Sequence, residues 1–293
     1  MRSAAVLSGA TALVLCVSAA CSAPPAESPT EPPRADAAAA VRYVDLTHEL
    51  SGDSVFWPTG QTFRLSKVAD GVTEQGYYYA SNDFSGNEHG GTHLDAPVHF
   101  AEGQWTTDQI PLDRLIGNAV VVDVSASSAA DADYQVSVAD FTGWETTHGA
   151  IEPDTIVLVR TDFSKRWPDA QRYLGTVEKG ADAVADLHFP GLHPDAARWL
   201  VDKRVKAVGL DTASIDYGQS TLFESHRILY QRNIPAFENL TALDALPVRG
   251  ATVYALPMKI KGGSGGPLRA IAVVPMSVVA ARPEVGATAR RND

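Results

Sequence analysis

The apolar positions of this chain fall into short, valine- and isoleucine-rich runs rather than long helical stripes. Ala119-Val120-Val121-Val122-Asp123-Val124, Thr155-Ile156-Val157-Leu158-Val159 and Ala207-Val208-Gly209-Leu210 are each bounded by polar residues or glycine, which predicts buried strands. Ala251-Thr252-Val253-Tyr254-Ala255-Leu256 and Ala270-Ile271-Ala272-Val273-Val274 add two more. From Pro194 to Lys203 the spacing changes to a helical one with proline at the start, and a helix is expected there. Ser225 to Arg232 predicts a short second helix. Helix followed by strand at 195–210 is an α/β trait, whereas the closing strands have no helix between them. The pattern predicts one mixed α/β domain with a largely β core flanked by helices, without an internal repeat or boundary.

The ends of the chain read differently. Arg2 precedes an apolar, alanine- and leucine-rich run that closes on Ser18-Ala19-Ala20-Cys21. Residues 1–21 are therefore expected to be a secretory signal, shorter than the roughly twenty apolar residues of a spanning helix. Cys21 directly after Ala19-Ala20 resembles a bacterial lipobox, with Ser18 where leucine is usual. Acylation would make Cys21 the mature N-terminus; ordinary cleavage near the same point is the alternative. Residues 22–40, rich in Pro, Ala, Ser and Glu, read as a flexible tether. The domain is expected over 41–283, and 284–293 read as a loose tail. The expected location is extracytoplasmic, held at the membrane through a lipid anchor.

Composition narrows the function classes. Over 293 residues, 45% are apolar and 20% charged, as in a soluble globular protein. The formal charge is −11 and no basic cluster stands out, so nucleic acid is not an expected partner. Both cysteines, Cys16 and Cys21, lie in the signal, leaving the domain without a disulfide or a thiol nucleophile. There is no Gly-x-Ser-x-Gly elbow. Gly262-Gly263-Ser264-Gly265-Gly266 lacks the Lys-Ser/Thr ending of a phosphate loop, and is expected to let backbone approach the site or to form a hairpin.

The chemistry concentrates in His89-Gly90-Gly91-Thr92-His93-Leu94-Asp95-Ala96-Pro97-Val98-His99-Phe100. Imidazole nitrogen and carboxylate oxygen suit zinc, manganese or iron. Gly90, Gly91 and Pro97 argue against a helix. In an extended chain His93, Asp95, Pro97 and His99 would share one side, and the two glycines would let the backbone turn His89 toward them. The expected result is a metal site on a strand or loop, with one histidine spare for proton transfer. More ligands should come from elsewhere, and His226 and Glu238 are the best candidates. A carboxylate between Phe237 and Asn239-Leu240 should be half-buried, and so need a cation or hydrogen-bond donors.

The run from His89 to Phe100 resembles the signature of the metal-dependent cyclase family, which includes kynurenine formamidase and isatin hydrolase. The resemblance extends over roughly 43–281, through Asp45-Leu46-Thr47-His48, Trp57-Pro58, Gly209 to Asp216, His226 and Glu238 with Asn239-Leu240, and Leu256 to Gly263. It implies a cyclase-like fold of swivelling β/β/α type and a homo-oligomer, dimer or larger. It further implies that His89, His93, Asp95, His226 and Glu238 ligate one or two divalent ions, zinc or manganese foremost. Asp95 and Glu238 would bridge in two-metal members, His99 would be the acid/base, and Trp57 would contact substrate. One departure stands out: Thr59-Gly60 follows Trp57-Pro58 where formamidases tend to carry Gly-Asp.

Metal plus imidazole most readily activates water, since an ion lowers the pKa of bound water from about 15.7 toward 7. His99, near its ordinary value of about 6.5, could then take a proton and return it to a leaving amine. The expected reaction is hydrolysis of a small aryl formamide, such as N-formylkynurenine, or a cyclic amide, such as isatin. A lactone or enol-lactone hydrolase, or a non-catalytic lipoprotein capturing metal or ligand, are the alternatives. Among the other polar residues, His48 could reach the pocket or serve structure, and His148 and His188 read as surface or turn residues. His193 reads as a helix-entry residue, and Asp211, Ser214 and Asp216 divide between site support and turn bonding.

Overall fold

The structure, a computed structural model, describes residues 40–276. The signal, the tether up to residue 39 and the tail lie outside the described residues. No helix among the described residues is long and apolar enough to cross a membrane.

The described residues hold twelve strands: β1 (Val41–Asp45), β2 (Arg64–Val72), β3 (Tyr78–Ser85), β4 (His93–Asp95), β5 (Ile116–Asp123), β6 (Gln135–Val136), β7 (Ile156–Arg160), β8 (Gly191–Leu192), β9 (Ala207–Leu210), β10 (Ala236–Glu238), β11 (Arg249–Pro257) and β12 (Gly265–Pro275). Eight of them form one sheet in the order β1-β12-β11-β5-β7-β9-β10-β4, and a further pairing of β12 with β4 closes it into a barrel-like core. β12 is long enough to do both jobs. Its first residues lie opposite β4, Gly265 against Asp95, and its last opposite β1, Val41 against Pro275.

The period of two in the sequence sorts side chains into two cores. Ala119 and Val121 of β5 and Ile156 and Leu158 of β7 pack with Val253, Ala255, Ala270 and Ala272. Val120, Val122, Val157 and Val159 face the other way, onto Phe141, Trp144, Ala196, Ala197 and Leu200. These last five belong to the helices Val138–His148 and Pro194–Asp202. The central run β5-β7-β9-β10 is parallel, and parallel strands covered on both faces need the near-continuous apolar sequence seen here.

All five expected strands are present, at times longer than their apolar runs. β12 begins five residues before Ala270 because its glycines pair across to β4. The two expected helices appear as Pro194–Asp202 and Glu224–Tyr230. His193 caps the first, its Nδ1 accepting from Asp195 N at 3.1 Å. The short β4 matches the extended reading of His93 and Asp95, whereas β10 and the barrel closure have no counterpart in the sequence pattern.

Candidate active site

β4 and β10 run antiparallel with Glu238 opposite His93 and Ala236 opposite Asp95. His93 and Asp95, two apart, share a face, and the register sets Glu238 beside His93. The strand ends at Asp95. Pro97–His99 forms a 3-10 turn, His99 N donating to Ala96 O at 2.9 Å. His99 therefore reaches the site through a turn and not along one extended strand. His89 arrives by the expected route: Gly91 has φ 61°, and a Cβ at Gly90 would overlap the Phe56 ring. Gly265 serves the same end from across the sheet, since a Cβ there would lie 2.6 Å from His89 Cε1.

The side chains named from sequence converge. His93 Nε2 lies 3.1 Å from Asp95 Oδ1 and 3.5 Å from Glu238 Oε2. His226 Nε2 lies 3.4 Å from Asp95 Oδ2 and 3.3 Å from Glu238 Oε1. His89 Nδ1 stands 2.6 Å from Asp95 Oδ1. The His99 ring stacks on His89 with centroids 3.9 Å apart. Ligand atoms of His93, Asp95 and Glu238 lie within 4.8 Å of one another, as do those of His89, Asp95 and His99. Asp95 belongs to both trios, and His99 is itself within ligand reach.

Hydrogen bonds set the tautomers. His93 Nδ1 faces Gly91 O at 2.9 Å and His226 Nδ1 faces Asp216 Oδ2 at 2.5 Å, so each ring donates outward and presents Nε2 to the carboxylates. The Ser264 hydroxyl donates to Glu88 at 2.7 Å, which makes His89 Nε2, 2.9 Å from Ser264 Oγ, the donor there. Tyr230 donates to Asp95 Oδ2 at 2.8 Å and Ile215 N to Glu238 Oε1 at 2.8 Å.

This arrangement fits a cation. His93 Nε2 is buried without a hydrogen-bond partner. Burial raises the pKa of Glu238 and the charge on Asp95 raises it further. Burial acts on Asp95 in the same sense, but His89, His226 and His93 hold it well below the usual carboxylate range. Burial works to neutralise His93 and His226, yet the surrounding carboxylates outweigh it and raise both. Two buried carboxylates facing imidazole nitrogens at these distances are a donor set that suits a divalent ion, whose binding would displace the protons the carboxylates otherwise favour on the rings. His99 differs from its expected value: burial lowers it to about 4, against the pull of Asp95.

The cluster forms the floor of a cavity of about 280 Å³ walled by Trp57, Phe100, Phe223, Val55, Phe56 and Ala213, with Thr59, Asn87 and Ser214 as polar lining. Asp216 and Ser214 belong to this neighbourhood. Asp211 does not: it accepts from Thr161 N, Thr161 Oγ1 and Asp162 N at 2.7–2.9 Å, tying the ends of β7 and β9 together. Burial pushes its pKa up to about 6 despite those donors. His48 stacks on Trp167 at 4.4 Å, lines a separate groove, and is lowered by burial to about 4. His188 pairs with Asp133 at 2.8 Å on the surface. Tyr230, Ser264, Glu88 and Phe223 were not singled out from sequence. Tyr230 carried a signal, standing four residues after His226 on one helix face.

A fold and cluster of this kind define an α/β protein with a candidate metal site. Residues 44–217 match the family model described as "Putative cyclase", and the chain belongs to this cyclase family. It is 36% identical to the isatin hydrolase of Roseibium aggregatum over 72% of this chain and 81% of that protein. It is 29% identical to the kynurenine formamidase of Salinibacter ruber, covering 78% and 95% respectively. Isatin hydrolase A from Labrenzia aggregata, solved with benzyl benzoate, superposes with a TM-score of 0.72 at 34% identity, over 80% of this chain and 94% of that one.

Proposed function

We propose that this chain is a metal-dependent hydrolase that cleaves the C–N bond of a small aryl formamide or cyclic aryl amide. The observation that carries the reading is the meeting of His89, His93, Asp95, His226 and Glu238 with His99 at one apolar cavity. The relatives named for isatin and kynurenine chemistry, and the aromatic ester bound by one of them, support it.

In this reading His89, His93, Asp95, His226 and Glu238 hold one or two divalent ions, zinc or manganese, whose donor preferences both suit imidazole and carboxylate. A bound ion would supply polarisation of the substrate carbonyl and a more acidic water. The chain does the rest. Asp216 and Gly91 O keep His226 and His93 in the tautomer that frees Nε2. Trp57, Phe100 and Phe223 exclude water and hold the aryl group. His99 takes a proton from water as the oxygen bonds to the carbonyl carbon. It passes that proton to nitrogen as the C–N bond breaks and its electron pair moves onto nitrogen. A carboxylic acid and an amine result, and the acid releases its remaining proton to solvent to leave the carboxylate.

Isatin and N-formylkynurenine are expected to be hydrolysed by the metal-loaded protein, to survive after exhaustive chelation, and to be hydrolysed again on metal add-back. Undiminished turnover in metal-free protein would overturn the reading.

The proposal extends to location and assembly. The apolar run ending in Ala19-Ala20-Cys21 supports export and lipid anchoring, and the family resemblance supports a dimer or larger. Cys21→Ser is expected to leave the membrane fraction and to sediment as that oligomer. A variant that stays with membranes counts against the anchor, and a monomer against the oligomer.

A further inference from the structure

One wall of the cavity is built on backbone that its residue type disfavours. Phe223 precedes the helix Glu224–Tyr230 with φ 48° and ψ 46°. Among the described residues it is the aromatic member of the non-glycine positions with positive φ. A bulky side chain stays in the left-handed region where its surroundings over-determine it, and such strain gathers at functional sites. Here the restraints are visible. Phe223 N donates to Ser220 Oγ at 3.3 Å, and Ser220 Oγ donates to Asp216 Oδ1 at 3.3 Å. The same Asp216 carboxylate holds Ser225 N at 3.1 Å and His226 Nδ1 at 2.5 Å. The bend and the ligand histidine thus hang from one residue.

The bend places a ring. Phe223 lies 5.1 Å from Phe100 and 6.2 Å from Trp57, centroid to centroid, and the three rings stand around the cavity. No lysine or arginine is among the described residues lining it, and its acidic residues, Asp95 and Glu238, belong to the cluster on its floor. Its volume of about 280 Å³ lies just below the roughly 300–1,000 Å³ of most ligand pockets. There is room for one compact ring system between π faces, and no cluster-independent partner for a charged head group.

We propose that Phe223 is the specificity-determining residue of this cavity, selecting a flat, uncharged aryl group over an alkyl group of similar size. The proposal rests on the hydrolase reading for its substrate class, but its test includes a readout that needs no turnover. Benzamide and cyclohexanecarboxamide are titrated calorimetrically into the full chain, metal-loaded and metal-free. The native chain is expected to bind benzamide at least tenfold more tightly. Phe223→Leu brings the two affinities within about threefold by weakening benzamide, and Phe223→Tyr restores the preference. Phe223→Gly, which adopts the same φ without strain, removes the ring while leaving the backbone at ease and gives the Leu result. Metal content is unchanged throughout.

A matched kinetic pair, formanilide and N-cyclohexylformamide, shows the loss as a rise in KM for the aryl substrate alone. An unaltered aryl preference in both Phe223→Leu and Phe223→Gly, or no binding of either amide by the native chain, overturns the proposal. If the native chain hydrolyses neither formamide yet the calorimetric preference follows Phe223, the hydrolase reading fails and the aryl specificity stands. If hydrolysis proceeds with an aryl preference indifferent to Phe223, the reverse holds.

Discussion

Replacing Asp95 is expected to remove bound metal and hydrolysis together. Its carboxylate is the one group common to both trios of candidate ligands. It lies 2.6 Å from His89, 3.1 Å from His93 and 3.4 Å from His226, with Tyr230 donating at 2.8 Å. Losing merely an outer hydrogen-bond partner of a ligand lowers metal affinity about 10–100-fold. Deleting the shared carboxylate should exceed the upper figure, so Asp95→Ala should emerge from gel filtration without metal and with turnover reduced by more than about 100-fold. Alanine also strands the Tyr230 hydroxyl, at about 1–3 kcal/mol for a buried unsatisfied donor. Asp95→Asn separates the two effects, because its amide oxygen can still accept from Tyr230 while the charge is gone. It should fold as the native chain does and still lose metal. Native metal content or native turnover in Asp95→Asn would remove Asp95 from the ligand set.

The part of this site legible in sequence is the part that local chemistry encodes. Two histidines and a carboxylate within seven residues, with glycines that argue against a helix, mark candidate ligands whatever the fold. The period of two set His93 and Asp95 on one face, and β4 keeps them there. The strands of the central sheet were equally plain, because burial on both faces demands continuous apolar runs. What did not show was nonlocal. The closure of β12 onto β4 joins segments some 170 positions apart, and the three residues of β10 leave no periodicity to read. The glycine-rich run at 262–266 had two readings, and pairing with β4 explains it: side chains at Gly265 would collide with His89. Asp216 could not be separated from an ordinary turn residue until its bond to His226 was seen. The left-handed backbone of Phe223 has no sequence signal, since propensity assigns that conformation to glycine or asparagine. The lowered pKa of His99 is likewise a product of assembly, set by the packed rings of His89 and Phe100 around it.

That lowered value shapes the second large effect. His99→Ala is expected to retain metal and to lose turnover by about 10²–10⁴-fold, the usual contribution of a positioned acid/base. Because His99 also lies within ligand distance of His89 and Asp95, metal retention is the deciding measurement. Parallel loss of metal and turnover would make it a ligand, and native turnover would leave it without a role. The pH profile adds an independent reading. Burial holds His99 at about 4, so the ring is neutral, and able to accept a proton, at any pH well above that value. Below it the ring is already protonated and cannot act as a base. With metal in excess, kcat/KM should therefore stay level from about pH 8 to about pH 5 and decline only as His99 protonates, whereas an unshifted imidazole would halve the rate near about pH 6.5. A base this weak gains its proton only where the attacking water is already acidified, and as a conjugate acid it gives that proton up readily to the departing nitrogen. A half-maximal rate near pH 6.5 that disappears in His99→Ala would show that the ring is far better solvated during turnover than its packing against His89 and Phe100 allows.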